Sequence, residues 1–122
     1  MPDYLPLHLP GAAITRTASA AITGGKLVYV SGSGTVAMTA GASSIPVGVA
    51  STDAASGDPV VIFGRGTVHR LTASGTVTAG DTVEAAAAGA VATHTIGTND
   101  ARVVGVALTT ATTGNPVEIM EV

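Results

Sequence analysis

Three histidines, His8, His69 and His94, are the side chains of this chain best suited to moving a proton or binding a metal near neutral pH. A zinc site needs its ligands gathered, and closely spaced His, Cys or carboxylate residues are its readable sign. No two of these histidines stand at such a spacing, and no acidic residue completes a local site beside one of them. His69 alternates within a β-branched run beside Arg70 and reads as a surface or interface residue. Nucleophilic catalysis finds no better footing. Cysteine is absent, and the serines fall in turn clusters with no G-x-S-x-G elbow. "GGKL" at 24–27 sets a lysine behind two glycines, but position 20 is Ala and Leu27 follows Lys26, so no phosphate loop forms. Asp53, Asp58, Asp81 and Asp100 all fall at expected loops, where Asp commonly bonds nearby backbone. The residues predict a protein that is not an enzyme, with no catalytic centre, no cofactor and no metal.

The elements that would position any site come in pairs. "VGVASTDAASGDPVVI" (47–62) returns as "VGVALTTATTGNPVEI" (104–119), 57 residues on. "TASAAITGGKLVYV" (17–30) aligns with "TASGTVTAGDTVEA" (72–85) at a spacing of 55, and "GTVA" (34–37) with "GAVA" (89–92). Two related units are expected, about 17–63 and 72–120, joined by "GRGTVHR". Each is too short to bury an adequate core alone, so one pseudo-symmetric domain is expected rather than two.

Short β-branched runs separated by turn clusters predict an all-β fold, a compact barrel or sandwich. The runs are "KLVYV" (26–30), "TVAM" (35–38), "IPVGVA" (45–50), "PVVIF" (59–63) and "TVHRL" (67–71), then "DTVEA" (81–85), "AVATH" (90–94), "RVVGVAL" (102–108) and "PVEIMEV" (116–122). Pro59 and Pro116 sit at strand starts, where a missing N–H is tolerated. "AAAAGAVA" (85–92) is rich in the best helix former, but Gly89 and its partner "VSGSGTVA" make it a strand end and a turn. "TDAASG" (52–57) and "TTATTG" (109–114) leave room for a single helical turn. Gly48 and Gly105 lie inside strands at equivalent positions, which predicts that the two halves approach each other there.

Composition narrows the class further. The net charge is −3 with no basic patch, which argues against a nucleic-acid partner. No run of 18 apolar residues exists to span a membrane, and no secretory signal is visible. Only 11% of residues are charged, against roughly 25% in ordinary soluble domains. Either hydroxyls keep a small-residue β protein soluble, or neighbouring molecules cover much of its surface. Residues 1–13 differ from the single β domain at 14–122. "MPDYLPLHLPG" holds three of the six prolines, and proline at that density favours an extended arm. Its apolar character predicts docking, with Tyr4, Leu5, Leu7, His8 and Leu9 as the contact residues.

Two resemblances follow. "VTAGDTVEA" (77–85) is similar to a turn of biotinyl and lipoyl carrier domains, but the acceptor lysine is missing, since Lys26 is the only lysine. More of the chain, about 22–122, resembles the phage capsid cement family, the small head decoration proteins of tailed phages. The pieces are "ITGGKLVYV", "PVGVASTDAASGDPVVIFGRGTV", "VTAGDTVEA" and "VVGVALTTATTGNPVEIMEV". That resemblance implies a structural virion protein on the outer surface of the expanded capsid, made in the bacterial host cytoplasm. It implies the major capsid protein and further copies of itself, as a homotrimer, as partners. The rival readings are a tail-tube or fibre module, or a surface adhesin or carbohydrate-binding module. Sugar binding usually needs an aromatic platform, and the chain holds only Tyr4, Tyr29 and Phe63.

Overall fold

The computed structural model describes residues 13–41, 45–98 and 100–122. Among the described residues, ten strands carry the fold. The first five are β1 (Ile14–Ala18), β2 (Leu27–Gly32), β3 (Thr35–Met38), β4 (Pro46–Ala50) and β5 (Pro59–Phe63). They form a closed barrel in the order β1-β3-β2-β4-β5, with β5 antiparallel to β1. The second five are β6 (Val68–Thr72), β7 (Thr82–Ala85), β8 (Val91–Thr93), β9 (Val103–Ala107) and β10 (Pro116–Glu121). They form a sheet in the order β6-β10-β9-β7-β8. A short 3₁₀ turn, Asp100–Arg102, precedes β9.

Set β1 to β5 against β6 to β10, and the two sheets run through one cyclic order. The seam differs. In the first half β1 closes on β3 in parallel through Thr17–Thr35 and Ala18–Val36. In the second half the corresponding seam is one parallel bridge, Ala73–Val91. The loop bridges Ile22–Ala54 and Val77–Ala111 also correspond. β6 starts inside the segment read as a linker, because Leu71 turns inward and is buried. β1 is not among the runs that the sequence marks as strands: of its five residues only Ala18 is buried, so it shows no apolar alternation.

Alternation places the core. On β5, Val60 and Ile62 point in while Val61 and Phe63 face out; on β10, Val117 and Ile119 point in. One cluster fills the barrel, with Val28, Val36, Val60 and Ile62 at its centre. The other fills the second half and takes in Leu27 and Val49 from the first. Adjacent residues Leu27 and Val28 therefore serve different cores, as successive side chains of a strand must.

The two loops left open for a helical turn form β-turns instead. Asp58 N donates to Ala55 O at 3.0 Å, and Asn115 N to Thr112 O at 3.1 Å. Gly57 and Gly114 take positive φ (91° and 84°), and the next residue but one is a proline, so a helix cannot continue. Gly48 and Gly105 also correct an expectation. A side chain on Gly48 would strike the Phe63 carbonyl of β5, and one on Gly105 the Met120 carbonyl of β10. Each close approach lies within its own half, beside the register shift at Val28–Tyr29 or Val83–Glu84.

The halves meet elsewhere. The turn between β7 and β8, with Ala88 and Gly89 both at positive φ (57° and 70°), inserts beside the start of β2. Leu27 N donates to Gly89 O (3.0 Å), Gly89 N to Thr39 O (3.2 Å), and Thr39 Oγ1 to Ala86 O (2.8 Å). Lys26 Nζ adds a bond to Thr72 Oγ1 at 2.8 Å.

Candidate functional site

The most polar buried place in the described body surrounds His94. β8 ends at Thr93, which puts the His94 ring under the 3₁₀ turn. Its Nε2 meets Asp100 Oδ1 at 2.7 Å, and its Nδ1 meets Glu84 Oε2 of β7 at 3.4 Å. Arg102 Nη2 lies 2.9 Å from the same Glu84 oxygen and donates to Ala85 O. The hydrogen bond to Asp100 raises the His94 pKa, opposed by burial and helped by Glu84. Asp100 is lowered, by His94 first and by the Gly97 amide second. So two acidic residues do stand against a histidine in space, although neither lies beside it in the sequence. The spacings of six and ten residues gave no sign of it, because a turn and a strand crossing bring the groups together.

Both ring nitrogens are occupied by carboxylates, and no hydroxyl of the described residues is placed on either. A base without a proton donor in reach has nothing to activate. Among the described residues, no group of three or more His, Cys, Asp or Glu side chains is arranged to hold a metal. The cluster ties the 3₁₀ turn to the sheet.

His69 has a second polar group around it. Thr67 Oγ1 lies 2.6 Å from His69 Nε2, and the Thr67 hydroxyl donates to Gly64 O at 2.7 Å. Glu121 Oε2 stands 3.4 Å from Thr67 Oγ1 and 3.7 Å from the same His69 Nε2. A nucleophile triad sets hydroxyl and carboxylate on opposite ring nitrogens. Here both crowd one, so no relay exists. His69 is 15% exposed, more enclosed than a surface reading implies, with Phe63 tilted over it at 6.2 Å. Burial lowers the His69 pKa and pushes Glu121 up to about 7, so the pair is not an ion pair near neutrality.

Glu121 gives a pH prediction. Its pKa in the fold, about 7, lies above the ordinary 4.5, so the native state holds a proton that the unfolded chain releases. The fold keeps its full advantage below pH 4.5 and loses it as pH rises through about 7. The whole effect is at most about 3 kcal/mol. Glu121→Gln should flatten urea-derived stability between those limits and leave the variant more stable than the parent at pH 8. An unchanged pH profile would show that Glu121 is not the group responsible.

The loop carboxylates behave as expected where they are seen: Asp53 accepts from Gly24 N at 2.7 Å, and Asp81 from Thr78 N at 3.0 Å. Tyr4, Leu5, Leu7, His8 and Leu9 lie outside the described residues. Two apolar surfaces stand out among the described residues. One is a hollow of about 140 Å³ on the barrel, lined by Ile14, Val30, Val36 and Val47, with Ile45 beside it. Val30 and Ile45 are 59% and 57% exposed. Ile14, the first residue of β1, lies on this hollow. The other is a row across β6, β10 and β9, where Val68 and Val106 flank Met120 on the outer face. Contiguous apolar surface of this kind suits contact with another protein.

Comparison with known proteins bears on both family and fold. The model of the phage cement protein family matches residues 8–120 of this chain. Among solved structures, the chain is similar to the crystal structure of the head fiber gp8.5 N base in bacteriophage phi29. That match has a TM-score of 0.68 at 21% identity and covers 91% of this chain and 93% of that one. No curated protein matches the chain.

Proposed function

The chain belongs to the phage cement protein family, and from that premise we propose that it binds the outer surface of the expanded capsid and stabilises the shell. It is an all-β, capsid-associated structural protein of a bacteriophage. The family match over residues 8–120 carries the reading. Its partners are the major capsid protein and further copies of itself, as a homotrimer. The polar clusters at His94 and His69 support a non-catalytic role, since neither sets a nucleophile against an oriented base. The physics is mass action. A protein that binds the expanded lattice at many sites, and the unexpanded or ruptured shell poorly, shifts the shell toward the intact expanded state.

Co-sedimentation with purified expanded capsids tests this, paired with the rupture temperature of bare and decorated shells. Saturable binding and a higher rupture temperature are expected. His69→Ala, His94→Ala and Asp81→Ala should bind within about a few-fold of the parent, their losses confined to stability. Failure to bind expanded capsids, or turnover or metal in the purified protein, would overturn the reading.

A further inference from the structure

We propose that copies of this chain join head to tail, the Ser31–Thr35 hairpin of one seating on the Thr82–Thr95–Val106 surface of the next. This deepens the self-association named above by giving it a surface. It comes from the seam inside one chain. There the Ala86–Ala90 hairpin seats on Leu27, Thr39 and Ala40, bonded through Gly89 and bridged at Ala40–Ala87.

Each half owns both parts of such a seam; within one chain the first hairpin meets only β1, where Gly34 O accepts from Thr17 N at 3.3 Å. The hairpin Ser31–Thr35 stands 55 residues before Ala86–Ala90. The surface Thr82, His94 and Thr95 stands 55 residues after Leu27, Thr39 and Ala40, and Val106 stands 57 after Val49. The backbone keeps the correspondence. Thr39 N donates to Leu27 O at 3.0 Å as His94 N does to Thr82 O at 2.8 Å. Ala50 N donates to Lys26 O at 3.0 Å as Ala107 N does to Asp81 O at 2.9 Å.

What differs is cover. Leu27 and Val49 are 0% and 2% exposed, whereas Thr82 is half-buried and Val106 is 36% exposed. Gly34 and Gly89 share a positive φ (74° and 70°), but the positive φ of Ala88 (57°) has no counterpart at Ser33, and the first hairpin alone carries a register shift, at Val30–Gly32. A Cβ on Gly89 would meet Lys26 Cβ at 2.6 Å, but one on Gly34 would meet nothing within 4 Å. The second half thus exposes the receiving surface, and the first half exposes the inserting hairpin.

The chemistry of the open pair suits a surface that must stay soluble until it is covered. The internal hairpin is alanine; the exposed one carries Ser31, Ser33 and Thr35. The receiving side offers Thr82, Thr95 and the Asp100 carboxylate, whose side chain is 60% exposed. Hydroxyl donors thereby face a carboxylate acceptor, with Val106 as the apolar contact. An interface that joins two different patches closes into a ring or runs on as a filament. Other occupants of this surface, the shell included, are separated by the test.

The absence of cysteine makes the test direct. Bridged residues of antiparallel strands have Cα atoms about 4.5–5.5 Å apart, within disulfide reach. Gly32 and Thr95 are the counterparts of Ala87 and Ala40. A Cβ on Gly32 meets only the movable Thr35 Oγ1, at 2.9 Å. Under mild oxidation Ala40→Cys/Ala87→Cys should close within one chain, as a control. An equimolar mixture of Gly32→Cys and Thr95→Cys chains should give a covalent dimer in excess of either alone. Gly32→Cys/Thr95→Cys should give larger covalent assemblies, and Thr82→Arg should lower the light-scattering mass toward monomer with its melting temperature kept. A control that closes while the mixture cross-links no better than the separate chains overturns the inference, whatever the mass in solution. Capsid co-sedimentation of the parent reports separately, so a capsid-binding monomer would refute this interface and leave the proposed function standing.

Discussion

Gly105→Ala should cost the fold about 3 kcal/mol or more, seen as a large fall in the urea midpoint. The added methyl has nowhere to go. It would be driven into the Met120 carbonyl, with Met120 C at 2.8 Å and Glu121 Cα at 3.1 Å behind it. These are backbone atoms of β10, which is held between β6 and β9 and cannot swing aside. β9 cannot retreat either, since Gly105 also pairs with Val83 at the register shift. Gly48→Ala meets the same obstacle at Phe63 and should behave alike. Gly64 is the control: its position is open and its φ ordinary, so Gly64→Ala should stay within about 0.5 kcal/mol of the parent. A domain has only about 5–15 kcal/mol in hand, so the first two changes remove a large share. If all three variants unfolded at the parent's midpoint, the close approach would not be a determinant of the fold.

Deleting residues 1–11 should leave a folded body that decorates expanded capsids at least about a hundredfold more weakly. β1 begins at Ile14, so every strand of the described residues survives the deletion. Leu5, Leu7 and Leu9 share one side of any extended segment. Burying each contributes roughly 1.5–3 kcal/mol, so two suffice for that factor. Pro2, Pro6 and Pro10 stiffen the segment and reduce the entropy lost on docking. Far-UV circular dichroism and the melting temperature would establish the fold, and capsid co-sedimentation the affinity. If the truncated chain bound as well as the full one, the contact would lie on the β body, with the Ile14–Val30–Val47 hollow the first place to mutate.

The all-β class and most strand positions were legible because β-branched runs alternate with glycine and proline turns. Val47–Ala50 and Val104–Ala107 were the clearest case, and they became β4 and β9 almost residue for residue. β1 was not, since Thr15, Arg16 and Thr17 face solvent and give no apolar period. The glycines at 48 and 105 mark a close approach, but within each half and not between the halves as the sequence suggests, because a missing side chain does not say what fills its place. The polar cluster at His94 was hidden for a related reason. Its members come from β7, the end of β8 and a 3₁₀ turn, and only the register of β7 on β8 brings Glu84 near. The contact residues assigned to the arm rest on composition alone, and they lie outside the described residues.

The sharing of Leu27 and Val49 bears on how the chain is made. Translation delivers the first half while the second is still being added. Once Ile62 has emerged, β5 can pair with β1 and the first barrel can shut. Two of its apolar side chains then still lack their cover, which comes from residues such as Leu71, Val77, Val83, Val117 and Ile119. The nascent barrel therefore carries a sticky spot for as long as the ribosome needs to complete some 57 further residues. At about 5–20 residues per second that is several seconds. Ribosome-bound chains stalled soon after the first barrel should accordingly be better clients for chaperones than the finished protein.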